Sequence, residues 1–469
     1  MFNMRNTFLF TFALFIFLNM GFVIAAPNLN GHNLNYDNYW MVEDQVLPLS
    51  IYCSGAEEIT YSWKVDGEIV SLNQTFILDG SIGVGEHEVI GECSFLKGGS
   101  QSQTFNINIV GVNEFSIVIM PDTQYYSQNY PDTYIQQAEW VAEMSQRMNL
   151  VFLTHEGDIV QNAELSSEWD AADESMDIIE NAGINYGAAI GNHDYLGSPG
   201  VRNSSAFDQY FGPSRFQEMS TFGGSRLPDS VTDMYHILNV SEEEFLMLYI
   251  EYCPREASLN WAHQVVGNNS DKKVILTTHS YLDDEFDLPS SPDLGSIPSA
   301  HCNNGNLGAY GKKIWQDFAR QHSNMFMILS GHFAQDDGTG YLASKGINGN
   351  PVHQIVTNYQ TPVEPQGGNG YLRIMTFNPD IEEIRIKSYS PVLDSYKTEP
   401  SQEFVLEYFP ELDDPVFLPE DLNQDDFVNG ADLAALLAQW GECNNCTADF
   451  NNDSIVNGID LSQMLANWT

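Results

Sequence analysis

Five apolar runs in this chain stop abruptly at residues that bind metals, and that repetition constrains the fold more than any other feature. LVFLTHEGDIV, from residue 150, carries Gly157 and Asp158 near its end, and YGAAIGNHDY, from residue 186, carries Gly191, Asn192, His193 and Asp194. FSIVIMPDTQ carries Asp122 and Gln124, KVILTTH carries His279, and MFMILSGH carries His332. Each run is short and continuous, as a buried strand is. Strands that all deliver oxygen or imidazole groups at their carboxyl ends build one site along the edge of an α/β sheet.

Between these runs, from residue 114 onward, the pattern alternates strands with helices, the sign of α/β layering. PDTYIQQAEWVAEMSQRM returns Ala138, Val141, Met144 and Met148 to one face and reads as an amphipathic helix. SSEWDAADESMDIIENAG, LNWAHQVVG and KKIWQDFARQH read as further helices, and EEEFLMLYI, HQIVTN, YLRIMTF and EEIRIKSY as further strands.

Taken in order, D-x-Q, G-D, G-N-H-D, H and G-H resemble the metallophosphoesterase (calcineurin-like) superfamily, in the branch with Gln in place of His in the first motif. The resemblance covers residues 114–395 and implies a four-layer α-β-β-α sandwich with two divalent transition metals, Fe, Mn or Zn, at its site. It assigns Asp158 as the bridging carboxylate, Asp122 and Gln124 to the first metal, and Asn192, His279 and His332 to the second. His193 is expected beside the leaving oxygen as proton donor or electrostatic clamp, with Asp194 able to orient it. The superfamily's last motif is G-H-x-H, whereas here Ala334 follows Gly331, His332 and Phe333. The first metal therefore lacks one imidazole, and Gln161, Gln335, Asp336 or water is left to replace it.

Residues 1–26 join Arg5 to the apolar run FLFTFALFIFLNMGFVIA and end at Ala25 and Ala26, which reads as a secretory signal peptide. No other run is long enough to cross a bilayer, so the expectation is a secreted or cell-surface protein with no membrane span once the signal is cleaved. Residues 36–111 read as short strands separated by turns, with Cys53, Trp63 and Cys93 spaced as in an immunoglobulin-like β-sandwich. Gly91 stands where a tyrosine corner would put Tyr. Six cysteines in a secreted chain read as three disulfides, Cys53–Cys93, Cys443–Cys446 and, by what remains, Cys253–Cys302, a pairing the sequence itself leaves open.

After a central domain ending at 408, residues 409–419 bring Pro410, Pro415 and Pro419 among acidic residues and read as a stiff linker. From 420 to 469 the chain repeats itself, DLNQDDFVNGADL matching DFNNDSIVNGIDL. Oxygen ligands fall at the positions of a calcium loop: Asp421, Asn423, Asp425, Asn429 and Asp432, then Asp449, Asn451, Asp453, Asn457 and Asp460. The short Asp at the last position and the duplicated loop-helix unit resemble a small α-helical dockerin module, which implies bound Ca2+ and a cohesin-like protein partner.

With 18 Lys and Arg against 64 Asp and Glu, the formal charge is −46, which repels nucleic acid phosphates and anionic membranes. A phosphorylated substrate needs local positive charge to approach such a chain. The expected function is hydrolysis of phosphate mono- or diesters by metal-activated water at a dinuclear site. The alternative is a catalytically degenerate scaffold serving in surface binding, attached through its dockerin-like module.

Overall fold

The computed structural model describes residues 27–55, 57–96, 98–197, 201–282, 311–333, 339–360, 365–410, 412, 418–423, 428–443 and 446–468. The expected signal peptide, most of the expected linker, and Cys302, Ala334, Gln335, Asp336 and Asp425 lie outside the described residues. Two compact units divide the chain: one of residues up to 35 with 47–78 and 87–106, and one of residues 36–46, 79–86 and 107 onward.

In the first unit, Asn28–His32, Val46–Ser54 and Thr75–Asp79 form one sheet. Ser100–Val110, Gly85–Phe95, Ile59–Val65 and Glu68–Ser71 follow one another in a second. The disulfide Cys53–Cys93 joins the two sheets, as expected. Trp63 is fully buried, stacks on Phe105 at 6.2 Å, and donates its indole N–H to the carbonyl of Asn73 at 3.0 Å. Trp63 pairs directly with Gly91 across the strands, where a Cβ would lie 2.8 Å from the indole. The glycine that departs from the tyrosine-corner pattern is thus the seat of this Trp.

The second unit is built on two sheets, each with seven strands among the described residues. The first runs Tyr186–Ala188, Leu150–His155, Phe115–Met120, Leu372–Asn378, Glu383–Ser390 and Ser395–Lys397, with Phe404–Glu407 also paired to Glu383–Ser390. The second runs Phe222–Leu227, Ser230–Val240, Glu243–Tyr249, Lys273–Thr277, Met325–Ser330, Pro351–Thr357 and Thr339–Lys345. The metal-ligand runs pair in parallel, so their carboxyl ends share one edge. Such strands are near-continuous apolar runs because they are covered on both faces.

The sheets face each other through Phe115, Phe377, Phe245 and Phe326, whose rings lie 4.9–6.3 Å apart. Nearer the carboxyl ends this layer turns polar, with Thr154 Oγ1 2.7 Å from the Tyr249 hydroxyl and 3.3 Å from Thr277 Oγ1. Helices cover the outer faces. Pro131–Met144 buries Ala138, Trp140, Val141 and Met144, with Trp140 4.8 Å from the ring of Tyr389. Glu256–Asn268 packs Leu259, Ala262 and Val266 with Ile314 and Trp315 over the second sheet. The helix expected over KKIWQDFARQH stops at Asp317, and a short 3-10 turn, Ala319–Gln321, follows.

Three expectations about cysteines separate. Cys253 is buried and disulfide-bonded, whereas its expected partner lies outside the described residues. Cys443 and Cys446 correct the third: both are free thiols. Cys443 donates its N–H to Ser454 in the short ladder between the repeats, and the Cys446 thiol, hydrogen-bonded to that of Cys443, is pushed up to about 11.

Phe377 lies between the two sheets with no exposed surface. Phe377→Ala should destabilise the second unit by about 3–5 kcal/mol, seen as a lower midpoint in denaturant with the slope retained.

Candidate metal centre

Asp122 follows the strand Phe115–Met120, Asp158 follows Leu150–His155, His279 follows Lys273–Thr277 and His332 follows Met325–Ser330. Both sheets therefore contribute to one edge. The ligand atoms of Asp158, His279 and His332 all lie within 4.8 Å of one another. His279 Nε2 stands 3.1 Å from Asp158 Oδ2 and 3.9 Å from Asp122 Oδ1, and the amide of His332 donates to both Asp122 oxygens at 3.2 Å.

The carbonyl of Glu156 accepts from His279 Nδ1 at 2.9 Å, which leaves Nε2 as the side of the ring facing the carboxylates. A ligating histidine is usually oriented in this manner by a hydrogen bond on its far nitrogen. His193 is held similarly: Nδ1 donates to the carbonyl of Gln161 at 2.9 Å, and its amide donates to Asp158 Oδ1 at 2.9 Å. Asp194 does not orient His193. Its Oδ1 accepts the amides of Ile159 and Val160 at 2.8 and 3.1 Å, and its Oδ2 that of Gly191 at 2.8 Å. A short carboxylate in this tight loop finds backbone N–H groups first, so Asp194 braces the loop after Asp158 against the loop carrying Asn192 and His193.

The backbone is tightly constrained here. Asp158 and His332 have left-handed φ values of 49° and 67°, a conformation that costs free energy and is retained at sites that need it. A Cβ on Gly191 would lie 2.1 Å from Asp158 Oδ1, and one on Gly331 2.2 Å from Asp122 Oδ2. The G of G-N-H-D and of G-H makes room for carboxylates.

Electrostatics follow from burial. Desolvation raises Asp122, His279 opposes this, and the Asp158 charge adds to it, leaving Asp122 at about 7. Burial would also raise Asp158, but His279 and the neighbouring imidazoles take it to about 2. Burial would lower His279, yet Asp158 and Asp122 raise it to about 9. Two buried carboxylates are thus short of positive charge, with one imidazolium supplying it. Nearby, the side-chain oxygens of Gln124, Asn192 and Gln161 are enclosed without a hydrogen-bond partner. An unpaired buried amide oxygen costs about 1–3 kcal/mol. Imidazoles, carboxylates and amide oxygens are donor types a divalent transition metal takes, so the residues present fit such ions. Of the side chains named as substitutes for the missing imidazole, Gln161 is the one within the described residues.

Sequence reasoning missed three contributors. The carbonyls of Glu156 and Gln161 carry no side-chain signature. Tyr252, whose ring lies 5.9 Å from His279 and 5.7 Å from His332, sits in a loop with no motif. His155, beside the motif, is a satisfied core residue, accepting from the amide of Gly157 at 3.1 Å and donating to Thr123 Oγ1 at 3.0 Å.

In the carboxyl-terminal repeat, Asp449, Asn451 and Asp453 turn their oxygens into their own loop, where they accept the amides of Asp453, Ser454 and Ile455 at 2.8–3.1 Å. Asp421 and Asn423 hold the matching places in the first loop. Asp432 and Asp460 are fully buried. Each accepts the amides of its loop start and of Asn429 or Asn457, whose side chains cap the following helix.

No family model matches the chain. It is 31% identical over 281 residues to the uncharacterised protein YvnB of Bacillus subtilis, a match covering 59% of this chain and 20% of that protein. The chain therefore spans about a fifth of the length of this curated relative. Among solved structures it is similar to purple acid phosphatase PPD1 from yellow lupin seeds, at 10% identity and a TM-score of 0.41 over 77% of this chain and 72% of that one. A predicted phosphoesterase of Streptococcus pneumoniae is similar at 9% identity and a TM-score of 0.26, over 62% of this chain and 97% of that one.

Gly191→Ala should weaken divalent-metal binding by about tenfold or more, because its Cβ displaces Asp158. Equilibrium dialysis with Mn2+ measures this, and native circular dichroism in the same sample separates it from misfolding. Unchanged binding would mean that the loop yields without moving the carboxylate.

Proposed function

We propose that residues 114–408 are a metal-dependent phosphoric ester hydrolase of the metallophosphoesterase superfamily, in a secreted protein. One observation carries this reading. Asp122, Asp158, His279 and His332 from two sheets converge at one edge, and the side-chain oxygens of Gln124 and Asn192, close to Asp122 and His193 along the chain, are enclosed without a partner. Among the described residues no helix is long and apolar enough to cross a membrane.

Asp122, Gln124 and Asp158 would hold a first divalent ion, and Asp158, Asn192, His279 and His332 a second. When bound, such ions supply the positive charge that draws phosphoryl oxygens into a chain of net charge −46 and lowers the pKa of the attacking water. The remaining work belongs to the chain. Asp158 is kept ionised by His279 and pointed by the His193 amide, and Asp194 fixes the loop that bears Asn192. The Gln161 carbonyl takes the Nδ1–H of His193 and so turns Nε2 toward the leaving oxygen, to which the ring, when doubly protonated, would give its Nε2 proton and return to the neutral imidazole. Neutral amide donors at Gln124 and Asn192 leave the site more positive than carboxylates would, which suits an anionic ester.

A second reading is kept by Ala334, which stands where the superfamily motif has His. In it the scaffold has lost turnover and serves in surface binding. Hydrolysis of nitrophenyl phosphate and bis-nitrophenyl phosphate by metal-loaded protein separates the two. Chelation should abolish activity, and so should Asn192→Ala or His279→Ala. His193→Ala should retain its metal and lose roughly 10²–10⁴-fold in turnover, most for poor leaving groups. Activity surviving both ligand changes would refute the second metal's assignment.

The terminal regions support attachment rather than chemistry. Residues 36–111 are read as an immunoglobulin-like spacer, which their joined sheets and buried Trp63 favour. Residues 420–469 are read as a dockerin-like, calcium-folded module. Its buried cluster, Val428, Leu436, Ala448, Val456 and Met464, is too small to fold unaided. Trp440 and Trp468, at matching places in the two copies, remain 49% and 44% exposed, as a face for a cohesin-like partner would be. Calcium added to the full chain should slow amide exchange across residues 449–460. Equal exchange with calcium and with chelator would show that these oxygens are not ligands.

A further inference from the structure

Tyr252 lies just beyond the strand Glu243–Tyr249 and is 1% exposed. Its ring is tilted 55° to both His279 and His332, with centroids 5.9 and 5.7 Å away. It therefore flanks both imidazoles of the centre. Burial and then the Asp158 charge push its phenol up, while Arg202 pulls it down. A phenol hydroxyl ionises well above neutral pH even when unperturbed, so it can donate throughout the neutral range. That hydroxyl has no hydrogen-bond partner among the described residues.

The loop holding Tyr252 is unusually well fixed for one with no motif. Arg202 donates Nη1 to the Tyr252 carbonyl and Nη2 to the Cys253 carbonyl, the latter at 2.7 Å. Arg202 also lies over the Tyr195 ring at 5.6 Å and 3.5 Å from Glu251. Both Arg202 and Cys253 sit at left-handed φ, 57° and 47°. Non-glycine residues held there are kept in place by surrounding structure and gather at functional sites. The guanidinium is engaged by backbone carbonyls and Glu251, so it supplies rigidity, and a neutral phenol is left to face the imidazoles.

We propose that the Tyr252 hydroxyl donates a hydrogen bond to a phosphoryl oxygen of the bound ester, making Tyr252 a further catalytic residue of the centre. The inference rests on the phosphoesterase reading above. A preorganised donor aimed at developing oxyanion charge is worth more in a water-poor site than in solution, and removing one costs roughly 10²-fold in turnover. In a chain with so few cations, a neutral donor recognises the phosphoryl group without another charge to bury.

Tyr252→Phe keeps the ring against both histidines and removes only the donor. In the full, Mn2+-loaded chain the variant should keep its metal content and melting temperature. It should bind inorganic phosphate about tenfold more weakly by titration calorimetry and turn over nitrophenyl phosphate roughly 10²-fold more slowly. Phosphate affinity and turnover equal to those of the unmodified protein would overturn the proposal. So would loss of metal from the variant, because the hydroxyl would then serve the ligands and not the ester, and so would absence of phosphate binding in both proteins. If the unmodified protein binds phosphate but hydrolyses neither ester, the hydrolase reading fails. The difference in phosphate affinity then still decides the role of Tyr252.

Discussion

The fold of the second unit is arranged around a group of charges that water no longer screens. Asp122 and Asp158 are buried beside one another, and His279 Nε2 faces both, 3.1 Å from Asp158 and 3.9 Å from Asp122. Isolated buried carboxylates are very costly unless positive charge or hydrogen bonds reach them. The two sheets meet that requirement from opposite sides. Asp122 and Asp158 come from parallel strands of one sheet, and His279 and His332 from parallel strands of the other. Phenylalanines hold the sheets together at the far end.

Placing these groups costs backbone freedom. Asp158 and His332 occupy left-handed conformations, and Gly191 and Gly331 are required because a Cβ would enter the carboxylates. Asp194 compensates by accepting three amides from two loops, a bracing role that a carboxylate fills better than an amide side chain because both its oxygens only accept. The side-chain oxygens of Gln124 and Asn192 stay enclosed and unpaired. Tyr252 and Arg202 extend the same logic to the second sheet's side of the site.

The outer regions solve a different problem. In the first unit a disulfide and one buried indole tie two thin sheets together, and the indole needs a glycine opposite it. At the carboxyl terminus the apolar cluster is small, and carboxylates at the ends of the loops take over part of the work by accepting backbone amides. Asp432 and Asp460 each join a loop start to a helix cap, so loop and helix hold together as one unit in both copies.

Much of this was legible along the chain. The order of apolar runs and terminal ligands located the sheets and the carboxyl edge, because strands buried on both faces must be continuously apolar while their ends are free to carry chemistry. Cys53, Trp63 and Cys93 marked two sheets joined by a disulfide, and the repeated loop residues marked the carboxyl-terminal pair of loop-helix units. The tertiary structure decided what depends on approach in space. It turned Asp194 from His193 to the backbone, because three amides converge on its oxygens. It left Cys443 and Cys446 as thiols, set Gly91 beneath Trp63, and brought Tyr252, Glu156 and Gln161 to a site that no local pattern connects them with. Periodicity and residue type report what a segment must bury. Which group answers a buried charge depends on distances between segments, and those exist only once the sheets have packed.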